Sequence, residues 1–152
     1  MADLRPILLV EDNPRDLELT LAALAKCQLA NEIITTRDGA EALDYVYARG
    51  DHAGRPAGDP AVILLDLKLP KIDGLEVLEK LKSDSNFRQI PVVMLTSSRE
   101  ERDLVQSYEQ GVNAFVVKPV DFNAFFEAIE SLGMFWAILN EPPPRSGPAD
   151  GR

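Results

Sequence analysis

The chain has 152 residues, 45% of them hydrophobic and 27% charged, which is the composition of an ordinary globular protein and excludes a disordered or fibrous one. That length suits one domain whose core needs no metal or disulfide staple. A formal net charge of −9 repels phosphate backbones and anionic lipid, so neither nucleic acid nor a membrane is expected as a partner.

In chain order, short apolar runs alternate with longer stretches of helical spacing. The opening residues, MADLRP, lack the charged, apolar and cleavage regions of a signal peptide, so a cytoplasmic protein is expected. Ile7–Val10 is the first of five apolar runs rich in β-branched residues. None alternates with period two, as expected of strands covered on both faces. Asn13-Pro14 then reads as a cap and first-turn proline for a helix carrying Leu17, Leu21 and Leu24. Cys27, the single cysteine, excludes an intrachain disulfide, fits a reducing compartment and reads as a small, half-buried helix residue.

Ile33–Thr36 is the second run, and Asp38-Gly39 opens a helix with Leu43, Val46 and Tyr47. Gly50–Pro60 is a loop rich in glycine and proline, and its His52 is expected to be solvated surface. The third run, Ala61–Leu65, ends at Asp66, and Asp73-Gly74 introduces Leu75, Leu78 and Leu81. The fourth, Val92–Thr96, precedes a weaker and more polar helical stretch over Arg99–Gln110. The fifth, Ala114–Val117, is followed by Asp121, a good cap for a helix with Phe122, Phe125, Phe126, Ile129 and Leu132. No run approaches the ~20 residues that span a bilayer. Right-handed crossovers turn this order into an α/β fold, a doubly wound five-stranded parallel sheet with helices on both faces.

In such a sheet, ligands sit beyond the carboxyl ends of the strands. Those ends carry Glu11-Asp12, Asp66, Thr96-Ser97 and Lys118-Pro119. One polar strand end means little, because strand ends are often polar; the convergence of all of them on one rim points to chemistry. Carboxylates held together repel, so some protonate unless a cation sits among them. A small set of oxygen ligands with room for water suits Mg²⁺. That ion and Lys118 would neutralise charge on a phosphoryl group arriving at Asp66, with the Thr96 hydroxyl donating to one of its oxygens.

The segments LLVEDNP at Leu8–Pro14, LLDLKLPKIDG at Leu64–Gly74, VVMLTSS at Val92–Ser98 and FVVKP at Phe115–Pro119 resemble the receiver domain of two-component response regulators. The resemblance spans residues 5 to 132, with the motifs in the family's order and spacing. It implies a sheet order 2-1-3-4-5 and a histidine kinase as partner. Asp66 would be the phosphoacceptor. Glu11, Asp12, Asp66 and the backbone carbonyl of Lys68 would bind Mg²⁺. Thr96 matches the switch hydroxyl, and Ser97 the small neighbour that leaves the phosphate accessible. Lys118 matches the essential lysine, followed by a proline that is typically cis. Phe115 matches the rotating aromatic but lacks the hydroxyl of the tyrosine often found there. A haloacid-dehalogenase-type phosphatase would also use an aspartyl phosphate, but it needs an acid where Lys68 stands, so an enzyme acting on external substrates is not expected. A degenerate receiver kept only for docking is disfavoured by the intact set of site positions.

Nothing after Leu132 is long enough for a DNA-binding domain, so the output is expected to be a contact with another protein or onward phosphotransfer. Met134–Glu141 continues the last helix, and Pro142–Pro144 stops it. This ending and the Gly50–Pro60 loop resemble those of receivers paired with bacterial and cyanobacterial phytochromes, whose endings build homodimers with exchanged arms. The expected organisation is a receiver over 1–133, an extension and proline arm over 134–144, and a disordered tail over 145–152. Phe135, Trp136, Ile138, Leu139, Asn140, Pro142 and Pro143 would form the dimer interface. Left bare, their apolar members would make a patch larger than monomers usually expose.

Overall fold

The computed structural model describes residues 5–27, 29–56, 58–101 and 114–131. Five strands, β1 (Ile7–Val10), β2 (Ile33–Thr36), β3 (Val62–Asp66), β4 (Val92–Thr96) and β5 (Ala114–Val117), form one parallel sheet in the order β2-β1-β3-β4-β5. This is the expected order. The third strand starts at Val62 rather than Ala61 and includes Asp66, because its ladder with β4 continues to the pair Asp66–Leu95. Helices α1 (Pro14–Lys26), α2 (Gly39–Tyr47) and α3 (Gly74–Lys82) connect the first four strands. A further helix, α4, opens at residues 99–101, and its expected continuation to Gln110 lies outside the described residues. Helix α5 (Phe122–Ser131) follows β5. Leu132, the extension, the proline arm, the tail and every expected dimer-interface residue also lie outside the described residues. Among the described residues no helix is long and apolar enough to cross a membrane.

Strand side chains point alternately to opposite faces, so an unbroken apolar strand feeds two cores. Ile7, Leu9, Val62, Leu64, Val93 and Leu95 meet Leu24 of α1 and Phe125 and Ile129 of α5. Leu8, Val10, Ile63, Leu65, Val92 and Met94 meet Leu43 and Val46 of α2 and Val77, Leu78 and Leu81 of α3. Helices α1, α2, α3 and α5 each begin on a side-chain cap that satisfies amide groups the helix leaves unpaired. Asn13 Oδ1 accepts from the Arg15 and Asp16 amides, Asp38 Oδ1 from Glu41, Asp73 Oδ1 from Glu76, and Asp121 Oδ1 from Ala124. The caps stand at the carboxyl edge of the sheet, so they also fix where the strand-end side chains lie.

Two local expectations need correction. Cys27 is buried rather than half-buried, because it closes α1 against the α1–α5 core. His52 is partnered rather than simply solvated. It lies on a 3₁₀ turn (Gly50–His52) with Nε2 3.1 Å from Glu41 Oε2 and its ring edge-on to Tyr45. The loop folds back on α2 because Arg55 donates to the carbonyls of Tyr45, Val46, Pro56 and Gly58 and lies 4.4 Å over the Tyr45 ring.

Gly74 starts α3 where the chain passes under the end of β3. A β-carbon there would collide with the Asp66 carbonyl oxygen and approach the Leu67 carbonyl oxygen to 2.8 Å. Both obstacles are backbone, so neither can rotate away. Gly74→Ala should therefore destabilise the fold by about 1–3 kcal/mol, read as a lower urea midpoint with an unchanged slope.

Candidate functional site

The strand ends hold their polar residues on backbone bonds that extend the ladder one step. The Glu11 amide donates to Thr36 O at 3.0 Å, Leu67 to Leu95 O at 3.0 Å, and Lys118 to Thr96 O at 2.7 Å. The side chains that follow the strands are thus anchored through the sheet itself. Lys118-Pro119 is a cis peptide.

Lys118 is the hub. Its Nζ lies 2.8 Å from Glu11 Oε1, 3.0 Å from Asp66 Oδ1 and 3.1 Å from Asp16 Oδ2. Glu11 is almost fully buried, its Oε2 accepts from the Asn13 amide, and Asp66 is buried beside it. Asp12 remains exposed at the rim. One carboxylate oxygen from each of Glu11, Asp12 and Asp66 falls within a group spanning at most 4.8 Å. Oxygen-only donors this close, two of them buried and one open to solvent, fit a hard divalent cation that keeps part of its water, which is the behaviour of Mg²⁺. Thr96, at the end of β4, is fully buried, and its Oγ1 has no hydrogen-bond partner among the described residues. Buried hydroxyls are rarely left so, and an unmet one at a site asks for an acceptor oxygen. Ser97 is exposed beside it, and Phe115, opposite Met94 in the sheet, packs against the α2–α3 core.

Two residues of this region were not singled out in the sequence. Asp16 reaches Lys118 across 102 positions of chain from the first turn of α1. Its signal was placement just inside the Asn13-Pro14 helix start, above the same rim. Glu101 accepts from the Ser97 amide at 2.8 Å and pairs with Lys68 Nζ at 3.1 Å. Its signal was the Ser98-x-x-Glu101 spacing of a helix cap.

The electrostatics follow from burial. Desolvation first, and then the charge of Glu11, push the Asp66 carboxyl up to about 7 against the pull of Lys118. Burial alone would lower the Lys118 ammonium, but the carboxylates of Glu11, Asp66 and Asp16 outweigh it and raise it, so the lysine stays charged.

Asp66 therefore favours its neutral form in the folded protein more than in the unfolded chain. Its contribution to stability is complete below the ordinary carboxylate value of about 4 and is lost as pH rises through about 7. An asparagine in its place would imitate the neutral form at every pH. In metal-free buffer, Asp66→Asn should melt several degrees higher than the wild type above pH 7, and the gap should close towards about pH 4. Thermal melts across that range measure it, and equal melting temperatures throughout would contradict the assigned electrostatics.

Comparison with known proteins gives a consistent picture. The family model for the response regulator receiver domain matches residues 7–130. Among solved structures, the bacteriophytochrome response regulator AtBRR is similar at 72% identity and a TM-score of 0.88, covering 92% of this chain and 100% of its own. A probable methanogenesis regulatory protein, FilR2, from Methanothrix harundinacea is 39% identical over 94% of this chain and 88% of its own length. Response regulator Rcp1 from Synechocystis is 38% identical over 86% of this chain and 87% of its own. A structure of Rcp1 in its Mn²⁺-bound form aligns at 36% identity and a TM-score of 0.70, covering 92% of this chain and 99% of that one.

Proposed function

The chain belongs to the response regulator receiver-domain family of two-component systems, and from that premise we propose that Asp66 accepts a phosphoryl group from a histidine kinase. The observation that carries this reading is a buried Asp66 joined to Glu11 through Lys118 at a rim where Thr96 Oγ1 has no partner among the described residues. An Asp66 oxygen attacks phosphorus, the bond from phosphorus to the kinase imidazole nitrogen breaks, and that nitrogen recovers a proton. Lys118, already in contact with Asp66, faces the charge that builds on the phosphoryl oxygens. Thr96 donates its unmet hydroxyl to one of them, and the exposed Ser97 leaves the approach open. Glu11, Asp12, Asp66 and the Lys68 carbonyl would hold Mg²⁺, which when bound offsets charge on those oxygens. The Mn²⁺-bound form of the related Rcp1 supports a divalent ion in this family.

No turnover of an external substrate is proposed. The residue two beyond Asp66 is Lys68, whose ammonium is paired with Glu101, so the acid that a phosphatase of this chemistry needs is missing there. The output proposed is protein contact or onward phosphotransfer, with Phe115 shifting its packing as the site fills. A cytoplasmic location follows from the proposed kinase partner. Likeness to AtBRR, a bacteriophytochrome response regulator, supports a phytochrome kinase upstream.

Transfer from a phytochrome kinase, followed in red and far-red light, should label the wild type in a light-dependent way. Asp66→Asn should lose the label entirely, and Asp12→Asn should lower its rate at least roughly tenfold at fixed Mg²⁺. Labelling without divalent metal, labelling of Asp66→Asn elsewhere, or transfer only from unrelated kinases would each contradict one part of the reading.

The apolar sequence beyond the receiver supports a homodimer through Phe135, Trp136, Ile138, Leu139, Asn140, Pro142 and Pro143, with the proline arm exchanged between the two copies. Light scattering at tens of micromolar should give twice the monomer mass for the full chain and a monomer for Trp136→Ala. A monomeric wild type would end that proposal.

A further inference from the structure

Beyond the cluster around Lys118, one side chain ties two rim loops together. Glu101 accepts from the Ser97 amide on one oxygen at 2.8 Å and meets Lys68 Nζ with the other at 3.1 Å. Ser97 directly follows Thr96, and Lys68 lies two residues past Asp66. Asp66 pairs with Leu95 in the sheet and the Leu67 amide donates to Leu95 O, so both loops leave the sheet side by side at the acceptor carboxylate.

Helix capping explains part of this. The Glu101 amide donates to Ser98 Oγ at 3.2 Å, as a capping box requires. In that motif the glutamate returns to the amide of the capping residue itself. Here it reaches one residue further back, to Ser97, and its second oxygen crosses to a different loop, which capping does not demand. The Lys68 side chain is 78% exposed and free to adopt other positions, yet it rests on a carboxylate that is only 18% exposed. The Ser97 amide and then the Lys68 ammonium hold the Glu101 carboxyl below the ordinary carboxylate range, and the charge of Lys118 acts in the same direction. Glu101 is therefore anchored at both oxygens beside the acceptor site.

We propose that Glu101 is a positioning residue that occupies the Ser97 amide and the Lys68 ammonium as an internal anion until a phosphoryl group on Asp66 competes for them. The proposal rests on the reading of Asp66 as the acceptor. A phosphoryl group carries roughly twice the charge of a carboxylate and more acceptor oxygens, so when both seek the same donors the phosphoryl group prevails. The latch thus stabilises the empty site and opposes its filling, since a contact made in only one state shifts the balance towards that state. Its release also frees the residues where α4 begins, which gives a filled site a mechanical consequence there.

The test uses the full chain with Mg²⁺ and beryllofluoride, a non-covalent stand-in for the phosphoryl group, alongside labelling by acetyl phosphate. Glu101→Ala should bind beryllofluoride roughly tenfold more tightly than wild type, from the loss of a competing charged hydrogen bond. Glu101→Gln keeps an oxygen for Ser97 but gives up the pair with Lys68, and should fall between the two. A role confined to helix capping would lower the melting temperature and leave affinity at or below that of wild type. Unchanged or weaker affinity in both variants, against a wild type that labels normally, overturns the latch alone. A wild type that takes up neither reagent overturns the acceptor reading and the latch with it. If Glu101→Ala does not fold, Glu101→Gln carries the same comparison.

Discussion

Two carboxylates, Glu11 and Asp66, are buried side by side, and the ammonium of Lys118 makes that arrangement possible. An isolated buried carboxylate is costly, and two within reach of one another repel as well. Lys118 meets both and adds Asp16, so one cation faces three carboxyl groups. The sheet order sets what kind of side chain can do this. Strand β5 lies two places from β3, with β4 between them, so the cation must reach across roughly two strand spacings of about 4.8 Å. A lysine spans that distance from a well-packed stem, and the buried Thr96 at the end of β4 takes little of the space it crosses. The balance still leaves a net negative pocket, which suits a site built to receive a divalent cation and then a phosphoryl group.

The rest of the fold keeps those strand ends level. Both faces of the sheet are sealed by helices, so a strand cannot slip by one residue without turning apolar side chains from one core into the other. Ladder bonds that run one step beyond β1, β3 and β5 carry the same rigidity into Glu11, Leu67 and Lys118. Gly74 completes the frame from below, where its missing side chain lets α3 begin against the backbone of the acceptor residue.

Most of this was legible in the sequence because it is local. The apolar runs, the Asn13, Asp38 and Asp73 caps and the strand-end acids all lie within a few residues of the structure they dictate, and the topology then gathers the acids by general rule. The parts that were not legible depend on contacts between distant residues. Asp16 looks like any acid in a first helical turn until α1 is set beside the end of β5. Glu101 looks like a plain cap until the β3–α3 loop brings Lys68 to it. His52 looks solvated until Arg55 folds its loop onto α2. Periodicity reports which face of an element is buried, but not which neighbour an exposed charge will find. The boundary of β3 was missed by one residue for a similar reason, since only pairing with β4 shows that Asp66 is still within the ladder.

The Arg55 clasp has a consequence for how this protein can vary. Arg55 ties the Pro56 and Gly58 carbonyls of its own loop to the Tyr45 and Val46 carbonyls of α2, so the loop takes its support from that helix. Chain-closure entropy rises only with the logarithm of loop length, roughly 0.6 kcal/mol for each doubling. An insertion of this kind is an appendage that could lengthen, shorten or change its outer residues without disturbing the acceptor rim. Variation there would leave the strand ends that carry Glu11, Asp66, Thr96 and Lys118 in place.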